Sequence, residues 1–239
     1  MQDDLTNFFE SDNLSLGDAG MYQVYFWEIE ESQRSVLFDK LMSMVSPEKR
    51  KRVSKLKFPI DQLLTLCSEA LVRFLDCEHH NIYNSDIKFS ENEYGKPYLE
   101  DYPDFHFNIS HTRDALAVAI ADNDIGVDIE HIKKADVKIA DRFFALPEKE
   151  FVMQSADKNK AFYQIWTRKE AYIKYLGRGL SVPLTYFNVL DKEISQKTQT
   201  FERRGYILSV CGVSTQEIPL VDVRSPQFGN QFSNFLSTY

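Results

Sequence analysis

The chain has 239 residues, 43% of them hydrophobic and 27% charged, with 9 Gly and 8 Pro. That is enough apolar chain to build a core without disulfide or metal staples, and too little Gly and Pro for a collagenous, linker-rich or disordered protein. The 28 Lys and Arg against 36 Asp and Glu give a formal net charge of -8, which excludes wholesale binding to a nucleic-acid backbone and confines any anion site to a local patch.

Residues 1–20 carry Asp3, Asp4, Glu10, Asp12 and Asp18 without a basic or apolar signal region, and read as a polar leader. Met21 to Trp27 (MYQVYFW) is rich in β-formers and predicts the first strand. Ser46-Pro47-Glu48 supplies an N-cap, a proline at the first helical position and an acid in the first turn, so a helix opens into the basic stretch that follows. A second helix is expected from about Asp61 to Cys77, with Leu64, Leu71 and Leu75 on one face. Glu93-Tyr94-Gly95-Lys96-Pro97 is a turn by its Gly and Pro.

Phe105, Phe107 and Ile109 alternate as a half-buried strand that Ser110-His111-Thr112 should break, and Ala115 to Ile120 is an apolar run of strand length beside it. A turn at Asp122-Asn123-Asp124 leads into residues 125–130, whose alternation predicts another strand. The boundary between two subdomains falls at this turn, giving 21–122 and 123–239. Helical periodicity returns at Phe162, Ile165, Trp166, Ile173 and Leu176 and stops at Gly177 and Gly179. The remainder reads as short strands and loops, and the sequence displays no internal repeat. Cys67, Cys77 and Cys211 are odd in number and far apart, which fits a reducing cytoplasm and indicates neither a disulfide framework nor a zinc site. No apolar run is long enough to span a membrane.

On the strand 125–130, Ile125, Val127 and Ile129 share one face, which leaves Gly126, Asp128 and Glu130 on the other. Like charges at ~4 Å repel by about 4 kcal/mol at an effective dielectric near 20, so the two acids either stand in water or share a proton or cation. Oxygen-only ligands select Mg²⁺ or Mn²⁺, and Gly126 would leave room for a bulky ligand at the backbone. Glu170 and Lys174 are either a surface pair or a third carboxylate and a phosphate-directed amine. Lys169 beside them is expected in solvent and Trp166 in the core. Residues 49–57 hold six of the 28 basic residues, and Lys49 and Arg52 can face a single phosphate from one side of a helix. Ser110 and His111 do not make a Ser-His hydrolase, because adjacent residues seldom present side chains to each other and no third partner is identifiable. Neither a P-loop nor a Rossmann glycine pattern occurs.

Read in order, SPEKR (46–50), EYGKP (93–97), FNISH (107–111), GVDIE (126–130), WTRKEAYIK (166–174) and GRGLSVPL (177–184) resemble the Sfp-type 4'-phosphopantetheinyl transferases, over roughly residues 46–190. The resemblance implies an α+β fold of two similar subdomains in one chain, with coenzyme A and Mg²⁺ in the cleft between them. It implies Asp128, Glu130 and Glu170 as metal carboxylates, with Glu170 and Lys174 catalytic and Lys174 on the coenzyme A pyrophosphate. Lys49, Arg52, Thr65 and His111 match positions that bind the 3'-phosphate, Ser110 one that contacts the pyrophosphate, and Tyr94, Gly95, Lys96 and Pro97 the adenine-contacting turn. Arg52 stands where Lys is more usual. The segment 132–160, with Phe143, Phe144, Leu146 and Phe151, resembles the carrier-docking region, or else packs its aromatics inside.

The implied reaction moves phosphopantetheine from coenzyme A to a serine hydroxyl of an apo acyl or peptidyl carrier protein. A cytoplasmic monomer suffices for it, without nucleic acid or membrane. The alternative is a non-catalytic protein that binds coenzyme A or RNA.

Overall fold

The computed structural model describes residues 22–179, 182–212 and 217–237; the expected leader and residues 180 and 181 of the GRGLSVPL stretch lie outside them. The first half starts with β1 (Tyr22–Glu28), followed by α1 (Arg34–Met44), α2 (Pro47–Val53) and α3 (Pro59–His80). Ser46 caps α2 as its sequence predicts, its hydroxyl oxygen accepting from the Lys49 amide at 3.2 Å. α3 ends where Asn81 takes a left-handed φ of 53°. The hairpin of β2 (Phe89–Glu91) and β3 (Pro97–Leu99) leads into β4 (His106–Thr112) and β5 (Ala115–Ala121). Contrary to expectation, β4 is not broken at Ser110. It runs to Thr112 and turns at Arg113, whose φ is 54°, because Ser110 and Thr112 have partners on the neighbouring strand.

The second half retraces this path. β6 (Gly126–His131) is followed by α4 (Val137–Phe143), α5 (Leu146–Gln154), the long α6 (Lys158–Leu176) and α7 (Lys192–Ser195), then by the hairpin of β7 (Thr198–Arg203) and β8 (Tyr206–Cys211). In each half the first strand pairs antiparallel with the second strand of the hairpin, β1 with β5 and β6 with β8. Each hairpin turn opens on an arginine at positive φ, Arg113 at 54° and Arg204 at 50°. Counted from those turns, Asn108 occupies the register of Gln199, Tyr25 that of Asp128, and Trp27 that of Glu130. The repeat lies in backbone register and not in residue identity, which is why the sequence alone does not display it.

The strands form sheets of order β4-β5-β1-β9 and β6-β8-β7. β5 (ALAVAIA) serves two cores through its period of two: Leu116, Val118 and Ile120 join α3, while Ala115, Ala117, Ala119 and Ala121 join Val127 and Ile129 of β6 and Leu208 and Val210 of β8. The small alanines let the sheets close on each other. The outer face of the second sheet is covered by α6.

The division expected after residue 122 is crossed once. β9 (Leu220–Asp222) pairs parallel with β1, and α8 (Pro226–Ser237) places Phe228, Phe232 and Leu236 in the first half's core. Phe228 lies 5.2 Å from the Tyr25 ring and Phe232 5.3 Å from Trp27, centroid to centroid. A helix thus stands where strands and loops were expected. Phe228, Phe232, Phe235 and Leu236 have helical spacing and Ser225-Pro226 repeats the Ser-Pro start of α2, but Gly229 and the interleaved Asn and Ser lower the local propensity.

Candidate active site

β4 and β6 lie side by side in different sheets, and side chains make the connection between them. Asn108 Oδ1 accepts from the Val127 amide at 2.9 Å, Ser110 Oγ donates to Asp128 Oδ1 at 2.8 Å, and Thr112 Oγ1 donates to Glu130 Oε2 at 3.2 Å. The alternation of β4 puts these three polar residues on one face and Phe107 and Ile109 on the other. Asn108 and Thr112 were not singled out from the sequence, although their alternation with Ser110 was the available signal.

Gly126 is filled differently from expectation. A Cβ there would lie 2.1 Å from the Ala171 carbonyl oxygen and 2.3 Å from the Tyr175 amide, so what approaches the bare backbone is α6 and not a ligand. This close approach sets Glu170 and Lys174 of α6 beside the acids of β6. Lys174 Nζ donates to Asp128 Oδ1 at 2.8 Å and to the Val127 carbonyl at 3.0 Å, so its ion pair is with Asp128. Asp128 Oδ2 is buried and has no hydrogen-bond partner, a condition that costs about 1–3 kcal/mol.

Burial holds the Glu130 carboxyl above the usual range and Asp128 adds to the shift, with Thr112 pulling down. Glu170 is raised in the same way, by burial and then by Asp128. Asp128 thus acts on both glutamates and Glu130 on Glu170, and the donor set of the three is oxygen only, which suits Mg²⁺ or Mn²⁺. The orphaned Asp128 oxygen is what a cation would satisfy. Among the described residues no group of three or more His, Cys, Asp or Glu side chains is arranged to hold a metal ion.

The residues expected at the 3'-phosphate are spread more widely. His111 is an exposed residue near the end of β4. Desolvation by the surrounding protein lowers its pKa below the usual value, with Asp61 pulling up and Lys174 down. Thr65 donates its hydroxyl to the Asp61 carbonyl at 2.7 Å. Lys49 and Arg52, expected to face one phosphate, each hold a different acid: Lys49 pairs with Glu69 and Arg52 with Glu91, both at 2.6 Å. The structure does not bring them to one point. The Arg52 pair is exposed, and such a pair is held by roughly 0–1 kcal/mol, so an anion competes with Glu91.

The turn at Tyr94–Pro97 is organised by Asn92, which lies outside the EYGKP stretch. Its Oδ1 accepts from the amides of Tyr94 and Lys96, both at 2.9 Å, and its Nδ2 donates to the Gly177 carbonyl at the end of α6 at 3.3 Å. An Asn two residues ahead of a Tyr-Gly turn is the signature of an Asx turn. Gly95, at a φ of 82°, has no heavy atom within 4 Å of an added Cβ. Lys96 reaches across to the Ile125 carbonyl at 3.3 Å, and burial lowers its pKa against the pull of Asp124. Pro97 opens β3 directly behind the turn.

Lys169 is not in solvent. It is fully buried against an equally buried Glu148, 2.7 Å from each carboxylate oxygen. Trp166 is half-buried between Phe143 and Phe162, in the core as expected. The two readings of residues 132–160 divide by residue. Phe144 is buried and stacks on Phe162 at 5.2 Å, whereas Leu146 and Met153 are 69% and 63% exposed and Phe151 is exposed beside them.

Residues 124–221 match the 4'-phosphopantetheinyl transferase superfamily, and residues 27–123 match the family 4'-phosphopantetheinyl transferase, N-terminal. The chain is 40% identical over 183 residues to 4'-phosphopantetheinyl transferase Sfp of Bacillus subtilis (strain 168), covering 75% of this chain and 80% of the relative. It is 41% identical over 153 residues to 4'-phosphopantetheinyl transferase ffp of Bacillus subtilis, 63% of this chain and 68% of that one. With 4'-phosphopantetheinyl transferase gsp of Aneurinibacillus migulanus it shares 36% over 180 residues, 74% of each chain. With both halves matched in order and close relatives covered over most of their length, the chain belongs to the 4'-phosphopantetheinyl transferase superfamily.

Proposed function

We propose that the protein transfers 4'-phosphopantetheine from coenzyme A to a serine hydroxyl of an apo acyl or peptidyl carrier protein, at the seam between β4, β6 and α6. The serine oxygen forms a bond to the pantetheine-side phosphorus, the pyrophosphate P–O bond breaks, and adenosine 3',5'-bisphosphate leaves. Asp128, Glu130 and Glu170 would hold Mg²⁺, and the observation that carries this is the partnerless buried oxygen of Asp128 beside two carboxyls with raised pKa. When bound, the ion supplies charge stabilisation at the pyrophosphate.

The protein's own groups do the rest. Lys174, already at the mouth of the carboxylate face, neutralises charge on the departing phosphate. Glu170 takes the serine proton, directly or through water, and its raised pKa moves it toward the range where a base works best. The turn from Tyr94 to Pro97 receives the adenine, and His111, Thr65, Lys49 and Arg52 the 3'-phosphate, with Arg52 leaving Glu91 to do so. Leu146, Phe151 and Met153 offer the carrier an apolar surface on α5. Both walls of the seam come from one chain, so a monomer in the cytoplasm suffices. Among the described residues no helix is long and apolar enough to cross a membrane. A non-catalytic coenzyme A- or RNA-binding role is not favoured, because Asp128, Glu130, Glu170 and Lys174 are all present and a formal net charge of -8 opposes wholesale binding to an RNA backbone.

The test is the intact mass of apo acyl and apo peptidyl carrier proteins after incubation with the protein, coenzyme A and Mg²⁺. Addition of phosphopantetheine that is lost with EDTA and in Glu170→Ala is the expected result. No addition to either carrier rejects the proposal for these substrates. A pH–rate profile unchanged in Glu170→Gln at matched Mg²⁺ occupancy removes Glu170 as the base.

A further inference from the structure

We infer that the buried Lys169–Glu148 pair is a positioning device that registers α5 against α6 and thereby sets affinity for the carrier protein and not for coenzyme A. The inference rests on the transferase reading above and deepens it.

Every polar site of the pair is used. The Lys169 ammonium donates to Glu148 Oε1 and Oε2 at 2.7 Å each and to the Phe187 carbonyl at 2.9 Å. The carboxylate also accepts from the Ala145 amide at 2.7 Å and the Val189 amide at 2.8 Å. The Phe187 ring lies under the ammonium at 4.4 Å. One node therefore joins the start of α5, the middle of α6 and the loop 187–189. A dry ion pair adds little net stability over apolar residues of the same volume, because desolvation opposes the attraction. What it supplies is direction, since each of its bonds fixes an angle as well as a distance.

Its position in the chain gives that direction a use. Lys169 directly precedes Glu170 on α6, while Glu148 sits between the exposed Leu146 and Phe151 on α5. A shift of α5 moves the apolar surface relative to Glu170. The residues assigned to the adenine and the 3'-phosphate all belong to the first half of the chain, and Lys174, assigned to the departing phosphate, bonds to Asp128 and Val127 and not to the pair.

The double variant Glu148→Gln/Lys169→Met removes both charges together, so no orphan ion remains, and keeps the side-chain volumes. We expect it to fold by thermal melt, to bind coenzyme A within about two-fold of wild type by calorimetry, and to raise KM for apo carrier about ten-fold with kcat within about three-fold. Phe187→Leu, which keeps the backbone carbonyl, should raise the carrier KM about three-fold and serves as the deciding variant if the double variant does not fold. An unchanged carrier KM in a folded variant overturns the inference alone, and so does a parallel loss of coenzyme A affinity. A wild-type protein that leaves the carriers unmodified overturns the transferase reading and this inference together.

Discussion

Ser110 and Lys174 hold the same oxygen of Asp128, each at 2.8 Å, and leave the other oxygen of that carboxylate without a partner. The two donors come from opposite walls of the seam, β4 and α6, so the orientation of Asp128 depends on both. Ser110→Ala releases one of them. A hydrogen bond to a charged group is worth about 1.5–3 kcal/mol, so the Mg²⁺ needed for half-maximal transfer should rise about ten-fold or more while the fold persists. A Mg²⁺ titration followed by carrier mass reads this directly. An unchanged requirement would mean that Lys174 alone orients the carboxylate.

Gly126→Ala tests the contact between β6 and α6. Its Cβ would meet backbone atoms of Ala171 and Tyr175, which cannot rotate away, so α6 must shift. Overpacking of this kind costs about 1–3 kcal/mol or more, and it moves Glu170 and Lys174 off Asp128. We expect a lower Tm and transfer reduced at least 100-fold, an order of magnitude in line with misplacing reacting groups by ~1 Å. Gly95→Ala, strained only by its φ and free of contacts, should retain most activity.

Leu146→Asp and Phe144→Ala separate surface from core within one segment. Leu146 is exposed, so its replacement should raise KM for carrier about ten-fold and leave coenzyme A binding and Tm unchanged. Phe144 is stacked inside, so its truncation should cost about 3–5 kcal/mol of stability by thermal or denaturant unfolding. Loss of coenzyme A binding in Leu146→Asp would assign α5 to the core instead.

Asp76 predicts a pH-dependent stability in the first half. It is fully buried on α3, with Oδ1 2.7 Å from His80 Nδ1 and Oδ2 without a partner. Burial raises its carboxyl above the usual range, opposed by His80, His79 and Arg73 of the same helix, while Tyr102 packs on the His80 ring from the loop before β4. A carboxyl whose pKa is higher folded than unfolded binds its proton more tightly in the native state, so its contribution to stability declines as pH rises through the folded value. Asp76→Asn lacks this loss. Its Tm should therefore exceed that of wild type near neutral pH, and the difference should shrink toward acid pH. A variant less stable than wild type at neutral pH would show that the attraction of Asp76 to His80 outweighs the burial.

Much of the seam could be read from the chain because its signals are local. Asp128 and Glu130 share a strand face by simple alternation, and Glu170 and Lys174 share a helix face one turn apart. What could not be read depends on partners far away in sequence. Lys169 looks like any helical lysine until Glu148 is brought to it from α5. Gly126 announces a close approach but not what approaches. The density of the basic run 49–57 is plain in the chain, yet nothing local reveals that Glu69 and Glu91 divide Lys49 from Arg52. α8 was hidden by weak propensity, and only the packing of its aromatics against β1 makes it a helix.

Tyr25 and Trp27 stand in the register that Asp128 and Glu130 occupy in the other half, and α8 covers them. During synthesis, β1 leaves the ribosome well before β9 and α8. Until Leu220 and the helix after it emerge, β1 lacks its parallel neighbour, and the Tyr25, Trp27 and Phe74 rings lack Phe228 and Phe232. The half that is made first is thus finished last, and a nascent chain stalled before residue 220 exposes an aromatic surface of the kind that chaperones retain.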